Sequence, residues 1–426
     1  MDVQDRRAPT APGAAGSSAA LALTVAVCFV LMLAEGYDVQ AIGVAAPKLM
    51  PALHIALTQR GEVFGIGQWG VVLGAMAGGY CADRWSRRNS LAAAVAIFGV
   101  MTLATAITSS FATLLAVRLA AGLGLGAAIP CVIGLALAPA SPARRVRTVT
   151  MIMAGLPIGG AVAAAVAAAT LERWGWKTIF YLGGVLPLLT LPILLLLSNL
   201  RIASPALQRN GLQRNGPQRN GPQRNGPSFA VLFQEGRTLT TLSIWVVYFI
   251  TLLIIYLLLN WLPSLMIRQG FAPAQAQLLS LAFNLAAAAG SVLLGIATDR
   301  LGPVRTVPLT YFLMLAAAAV VAVASSYGAY LAGFAAMGFL LLGGQNCLNG
   351  VIPNFYPAEA RTLSVGAAIG TGRIGSVVGP LYAGFVLAGS HGARAVLQSI
   401  VALVAFAAVL VLFLLLRRRR AADFGQ

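Results

Sequence analysis

Twelve runs of roughly twenty mostly apolar residues recur along this chain, each long enough to cross a hydrocarbon layer of about 30 Å. They fall near residues 21–46, 61–81, 90–108, 112–138, 148–171, 178–198, 239–263, 275–298, 306–325, 328–351, 362–387 and 394–416. In lipid every backbone N–H and C=O must be satisfied within the segment, so runs of this length become helices. The expected fold is an all-α membrane protein with twelve transmembrane helices in two six-helix bundles. The bundles are expected over residues 1–200 and 238–426, with residues 201–237 as the connection. An even number of spans puts both termini on one side.

Composition agrees. Of the 426 residues, 59% are hydrophobic and 9% charged, against about 25% charged in a soluble chain. The net charge of +18 does not mark a nucleic-acid binder, because the arginines cluster in short loops. On the side opposite the termini fall only Lys48, Arg60, Arg173, Lys177, Arg268 and Arg394. Arg118 and Arg373 lie inside spans, and all other basic residues fall on the side of the termini. That excess is expected to place both termini in the cytoplasm. The first apolar run is longer than a signal-peptide core and lacks a cleavage pattern, so it is expected to remain as the first span. Cys28, Cys81, Cys131 and Cys347 have no metal-ligand spacing and are expected as free thiols. His54 and His391 fall in expected loops, which argues against a histidine proton relay. No cofactor or metal is expected.

The connection between the bundles holds four tandem pentapeptides, Gln208–Leu212, Gln213–Pro217, Gln218–Pro222 and Gln223–Pro227, each beginning Gln-Arg-Asn-Gly. Such a composition cannot build a core, so a disordered linker on the side of the termini is expected.

Two loops share a pattern. Gly79-Tyr-Cys-Ala-Asp83-Arg84-Trp-Ser-Arg87-Arg88 joins spans two and three, and Gly295-Ile-Ala-Thr-Asp299-Arg300 joins spans eight and nine. They occupy the same place in each half. The glycine ends a helix, the aspartate can accept from a neighbouring helix N-terminus, and the arginines can pair with acids or lipid phosphates. The pattern resembles the signature loop of the major facilitator superfamily, with Ser86 in place of the usual glycine, and that resemblance implies a gating role. Small-residue stripes in span two (Gly70, Gly74, Gly78) and span eleven (Gly366, Gly370, Gly375, Gly379) are expected to let helix backbones approach closely.

Charges inside the spans point to chemistry. A charge at that depth costs a few kcal/mol or more and is rare without a role. Span one holds Glu35 and Asp38, three apart and on one helix face. Glu35 lies roughly 22 Å from the inner end, and Arg118 of span four roughly 10 Å from the outer end, so their depths nearly match. A buried arginine–carboxylate cluster is the natural outcome. It would serve either as a permanent ion pair or as a proton-coupling site, since a carboxylate whose arginine partner comes and goes takes up and releases a proton. Arg373 of span eleven sits near mid-membrane with no acid of its own half at that depth. It would hold a substrate carboxylate bidentately, with Arg118 as the other candidate, or be solvated by Gln345, Asn346 or Asn349 of span ten. Tyr37, Trp69, Tyr248, Tyr256, Asn260, Trp261, Phe283 and Asn284, with Gln345, are candidates for a pocket that stacks on a ring.

Four stretches together narrow the resemblance: Glu35-Gly36-Tyr37-Asp38-Val-Gln40-Ala, Arg118 with its following glycines, Leu259-Asn260-Trp261-Leu262-Pro263, and Gly372-Arg373-Ile-Gly375 with Gly379-Pro380. They resemble the aromatic acid:proton symporters of the major facilitator superfamily. Members usually carry two aspartates in the first-span motif. Asp38 matches the second and Glu35 replaces the first, one methylene longer. The resemblance implies a symporter, acting as a monomer, that imports an aromatic carboxylate such as 3-(3-hydroxyphenyl)propionate together with protons. It implies coupling at Asp38 and Glu35, with Asp38 the firmer assignment. The competing reading is a proton-driven exporter of drugs or aromatic compounds. Gly155-Leu-Pro157-Ile-Gly159-Gly160 partly matches an antiporter motif but lacks its glycine before the proline. A non-transporting receptor would leave the intramembrane charges without a purpose. No nucleophile–base set supports an enzyme.

Overall fold

The computed structural model describes residues 14–84, 87–137, 145–196, 229–389 and 392–423. The Gln-Arg-Asn-Gly repeats lie outside these residues, as do the side chains of Asp83 and Arg87 in the first signature loop. The first six spans are α1 (Ala14–Ala52), α2 (Leu57–Arg84), α3 (Arg87–Thr105), α4 (Phe111–Leu137), a fifth made of α5 (Arg145–Met153) and α6 (Gly155–Trp174), and α7 (Lys177–Leu196). The second six are α8 (Thr238–Arg268), α9 (Pro273–Leu301), α10 (Pro303–Val323), α11 (Tyr327–Val351), α12 (Arg361–Ala388) and α13 (Gly392–Asp423). Span five breaks at Ala154 for a local reason. Pro157 has no N–H to give the Met153 carbonyl, and its ring crowds that carbonyl. The next bond, Ile158 N–H to the Ala154 carbonyl, is stretched to 3.4 Å.

Helix pairings repeat between the halves. In the first, α2 and α3 pack on α4, α3 on α7, and α1 on α6. In the second, α9 and α10 pack on α11, α10 on α13, and α8 on α12. Glycines set several of these contacts. A Cβ at Gly74 would lie 2.2 Å from the Leu123 carbonyl oxygen, and one at Gly290 would lie 2.0 Å from that of Phe339. Without a hydrophobic drive between helices in lipid, this closeness of backbones supplies the packing. The last part of the expected linker is docked rather than free. Leu232 is buried, its carbonyl accepts from Thr241 Oγ1 at 2.5 Å, and Arg417 Nη2 donates to the Gly236 carbonyl at 2.8 Å.

Among the described residues, ten helices are long and apolar enough by themselves to cross a membrane. The two spans that fall short, α2 and α12, carry many of the glycines and polar groups and pack against each other across the halves. The halves also meet through α6–α9 and α1–α8.

One face of α12 records the shape of the interface. Gly366, Gly370, Arg373, Val377 and Leu381 lie along it, following helical spacing. At the end away from the termini, Leu381 and Val377 press against Gly61 and Gly65 of α2. At the end near the termini, a Cβ on Gly366 or Gly370 would meet nothing within 4 Å. The halves are therefore shut on the far side and parted on the side of the termini, with Arg373 between the two regions. The expectation that Gly366 and Gly370 mediate packing does not hold. Gly375 and Gly379 do pack, against the Phe249 and Leu253 backbone of α8.

Candidate functional site

Three helices of the first half converge on Asp38. Arg118 Nη1 and Nη2 donate to its two carboxylate oxygens at 3.1 and 2.9 Å, and Thr102 Oγ1 donates to Oδ1 at 2.8 Å. Asp38 is 0% exposed and Arg118 4%. Paired bidentate geometry of this kind is what makes two charges tolerable away from water.

Glu35, one turn earlier on α1, is also buried, but its Oε2 has no hydrogen-bond partner. Two charges act on it: Arg373 from the other half, and Asp38. Arg373 makes no salt bridge among the described residues. Its Nη1 donates to the Tyr256 hydroxyl at 3.3 Å, a long bond, and the side chain is only partly buried. Of the span-ten amides expected to solvate it, Asn349 Oδ1 accepts from Tyr248 at 2.5 Å and Asn346 reaches toward the Ser291 carbonyl at 3.5 Å, while Gln345 lies beside Tyr248 with its Oε1 unpartnered.

The far-side closure is built largely from amides that cross between the halves. Gln40 Nε2 donates to the Leu259 carbonyl at 2.9 Å, and Gln277 Nε2 to the Val44 carbonyl at 2.9 Å. Asn284 Nδ2 donates to Gln40 Oε1 at 3.2 Å. A Cβ on Gly43 would lie 2.6 Å from the Leu259 carbonyl oxygen, so α1 and α8 touch at the backbone. Trp261 Nε1 donates to the Pro380 carbonyl at 3.0 Å, and its ring meets Phe64 of α2 edge-on at 5.1 Å.

The aromatic and amide residues expected to line a pocket therefore divide. Tyr256 and Gln345 lie beside Arg373 or its neighbour Tyr248. Asn284, Trp261 and Asn260 belong to the far-side closure or its backbone, Asn260 donating to the Tyr256 carbonyl at 2.7 Å. Tyr37 packs inside the first half, donating to the Ile179 carbonyl at 3.0 Å, with its ring against Gly183 of α7. Phe283 is buried between α9 and α11, against Gly338. Trp69 is 44% exposed and follows Gly61 and Gly65 at four-residue spacing, on the face of α2 that meets α12 across the halves. In the signature loops Gly79 and Gly295 have no neighbour a Cβ would meet. Arg84 donates to Tyr80 and Arg88 to Asn89, and Asp299 and Arg300 end α9 exposed with no salt bridge among the described residues.

Thr102 and Gln277 were not singled out from sequence, and Gln40 entered only as part of the first-span motif. Polar, uncharged side chains in spans usually bond their own helix, as Thr105 does to the Met101 carbonyl, so their presence alone carries no signal. Among the described residues no cluster of His, Cys, Asp or Glu could hold a metal ion.

The Major Facilitator Superfamily pattern matches residues 28–272 and 244–424. The chain is 38% identical over 405 residues to the 3-(3-hydroxy-phenyl)propionate transporter of Escherichia coli (strain K12), covering 95% of this chain and 96% of the relative. It is 32% identical to the gallate transporter of Pseudomonas putida, covering 92% and 90%. Among solved structures it resembles a bacterial homologue of the human lysosomal transporter Spinster, with a TM-score of 0.73 at 17% identity, covering 96% of this chain and 98% of that one. It likewise resembles the xylose transporter XylE of E. coli, with a TM-score of 0.72 at 16% identity, covering 92% and 95%. Sequence relatives and the twelve-span fold agree, and this multi-pass membrane protein belongs to the Major Facilitator Superfamily.

Proposed function

We propose that this protein is a proton-coupled importer of an aromatic carboxylate, working by alternating access, with both termini in the cytoplasm. The observation that carries the reading is the contrast within the charged cluster. Arg118 is held bidentately by Asp38, whereas Arg373 has a single long hydrogen bond and lies where the halves part. An arginine fork without an acid partner, beside a ring-lined wall, suits a carboxylate on an aromatic ligand. The curated relatives named for 3-(3-hydroxyphenyl)propionate and gallate support that substrate class.

Glu35 completes the account. It is a rival anion for Arg373, carried on the other half. A protonated Glu35 leaves Arg373 free for the substrate carboxylate. An ionised Glu35 competes for it and favours release. Glu35 is thus the proton carrier closest to the substrate, while the Asp38–Arg118–Thr102 group holds α1, α3 and α4 in register around it. The energetics need such a partner. An anion entering a cell that is negative inside climbs about 2.3 kcal/mol per 100 mV, and one accompanying proton cancels that cost.

Uptake of labelled aromatic acid into membrane vesicles tests the reading. An imposed inward proton gradient drives accumulation, and an uncoupler stops it. If preloaded vesicles instead lose the acid faster when protons flow the other way, the protein is an exporter.

A further inference from the structure

The wall around Arg373 holds an acceptor without a donor. Gln345, on α11, lies beside Tyr248, and Tyr248 donates to Asn349 Oδ1 at 2.5 Å, one turn further along α11. Gln345 Oε1 is buried with no hydrogen-bond partner. Amide oxygens removed from water without a donor are costly, so such groups are normally satisfied. Tyr248 connects this oxygen to the anion site. Its ring lies against Gly372, the neighbour of Arg373 on α12, and Arg373 acts on it electrostatically. Around Tyr248 the second half therefore presents guanidinium donors with no acid of that half and an amide acceptor with no donor.

A ligand that satisfies both has a carboxylate at one end, an O–H donor on the far part of its ring, and an apolar body between them. We propose that Gln345 Oε1 accepts a hydrogen bond from a ring hydroxyl of the substrate, making Gln345 the residue that selects hydroxylated over unhydroxylated aromatic acids. This rests on the importer reading above and deepens it from aromatic acid to phenolic acid. The Gln345 oxygen is shielded in the present state, so water does not reach it. The hydroxyl docks as the halves close around the ligand. An acid lacking the hydroxyl leaves the amide oxygen unsatisfied, which is how a buried polar site rejects an otherwise similar ligand.

The test uses three matched acids: 3-(3-hydroxyphenyl)propionate, 3-phenylpropionate and 3-(3-methoxyphenyl)propionate. Binding to the purified full-length protein is measured for wild type, Gln345→Leu, Gln345→Met and Arg373→Ala. Wild type prefers the hydroxy acid by roughly tenfold or more over both others, the methyl ether failing because it keeps the oxygen and loses the donor. Gln345→Leu and Gln345→Met bring the three acids within about twofold by weakening the hydroxy acid alone. Arg373→Ala weakens all three together. Equal binding of hydroxy and methoxy acids by wild type overturns the assignment without needing any variant. An unchanged preference in the Gln345 variants overturns it as well. If wild type binds none of the three, the importer reading fails first and this inference falls with it.

Discussion

Arg118, in the first half, gives both terminal nitrogens to Asp38 and is almost wholly buried, whereas Arg373, in the second, gives one long hydrogen bond to a tyrosine hydroxyl and is partly exposed. Both were equally conspicuous as charges inside apolar runs. Their surroundings separate them. A charge in the membrane is tolerated when paired or when facing a cavity, and each arginine takes one of these two solutions. On the proposed function, the first half's pair does structural work and the second half's arginine takes the ligand. Glu35 stands between them, on the first half's helix but facing the second half's charge.

The largest expected effect breaks the paired side. Asp38→Asn leaves Arg118 charged and without its acid, a loss of roughly 3–5 kcal/mol of the kind seen when one partner of a buried pair is removed. The variant unfolds in detergent at a clearly lower temperature than wild type and accumulates no substrate. Adding Arg118→Gln to Asp38→Asn restores much of the stability but not the transport. A stable Asp38→Asn protein would mean that the pair is not what holds α1 to α4.

Glu35→Gln sharpens the contrast from the other side. Glu35 Oε2 makes no hydrogen bond, so thermal stability stays within about 1 kcal/mol of wild type. Accumulation driven by a proton gradient is lost, while exchange of labelled for unlabelled acid across vesicles at equal pH persists. Retained accumulation would move the proton-carrying role back to Asp38, where the sequence alone had placed it more firmly.

A smaller effect is expected at the far-side closure. Gln40→Ala removes two hydrogen bonds between the halves, each worth about 1 kcal/mol. The balance shifts toward the state open on the far side by roughly thirtyfold. Distances between spin labels at the far-side ends of α2 and α12 report that shift. An unaltered distance distribution would show that the Trp261–Phe64 contact and the glycine-to-Leu381 packing suffice without the amides.

How much of this was legible follows the physics of each residue type. Apolar length made the spans readable, and even α2 and α12, too polar to stand alone, could be placed by the alternation of loops. The intramembrane charges were readable because lipid makes them rare. Matching depths along two helices anticipated contact between the α1 acids and Arg118, although depth could not say which acid would take the guanidinium. Amides and hydroxyls were not readable. Thr102 and Gln40 look in sequence like Thr170 or Thr310, which merely bond the carbonyl four residues back. Pro157 was visible as a residue, yet the break it makes in span five was not anticipated from the apolar run.

The account's central claim is that Arg373, not Arg118, holds the substrate carboxylate. Binding of an aromatic acid and of its uncharged primary amide to purified wild type and Arg373→Ala tests this most directly. Wild type is expected to favour the acid over the amide by well over tenfold, as charge-assisted pairing requires. Arg373→Ala is expected to bind both equally weakly while unfolding at the wild-type temperature, and Arg373→Lys to recover part of the preference. An Arg373→Ala protein that still separates acid from amide as well as wild type does would contradict the claim and return the carboxylate to Arg118.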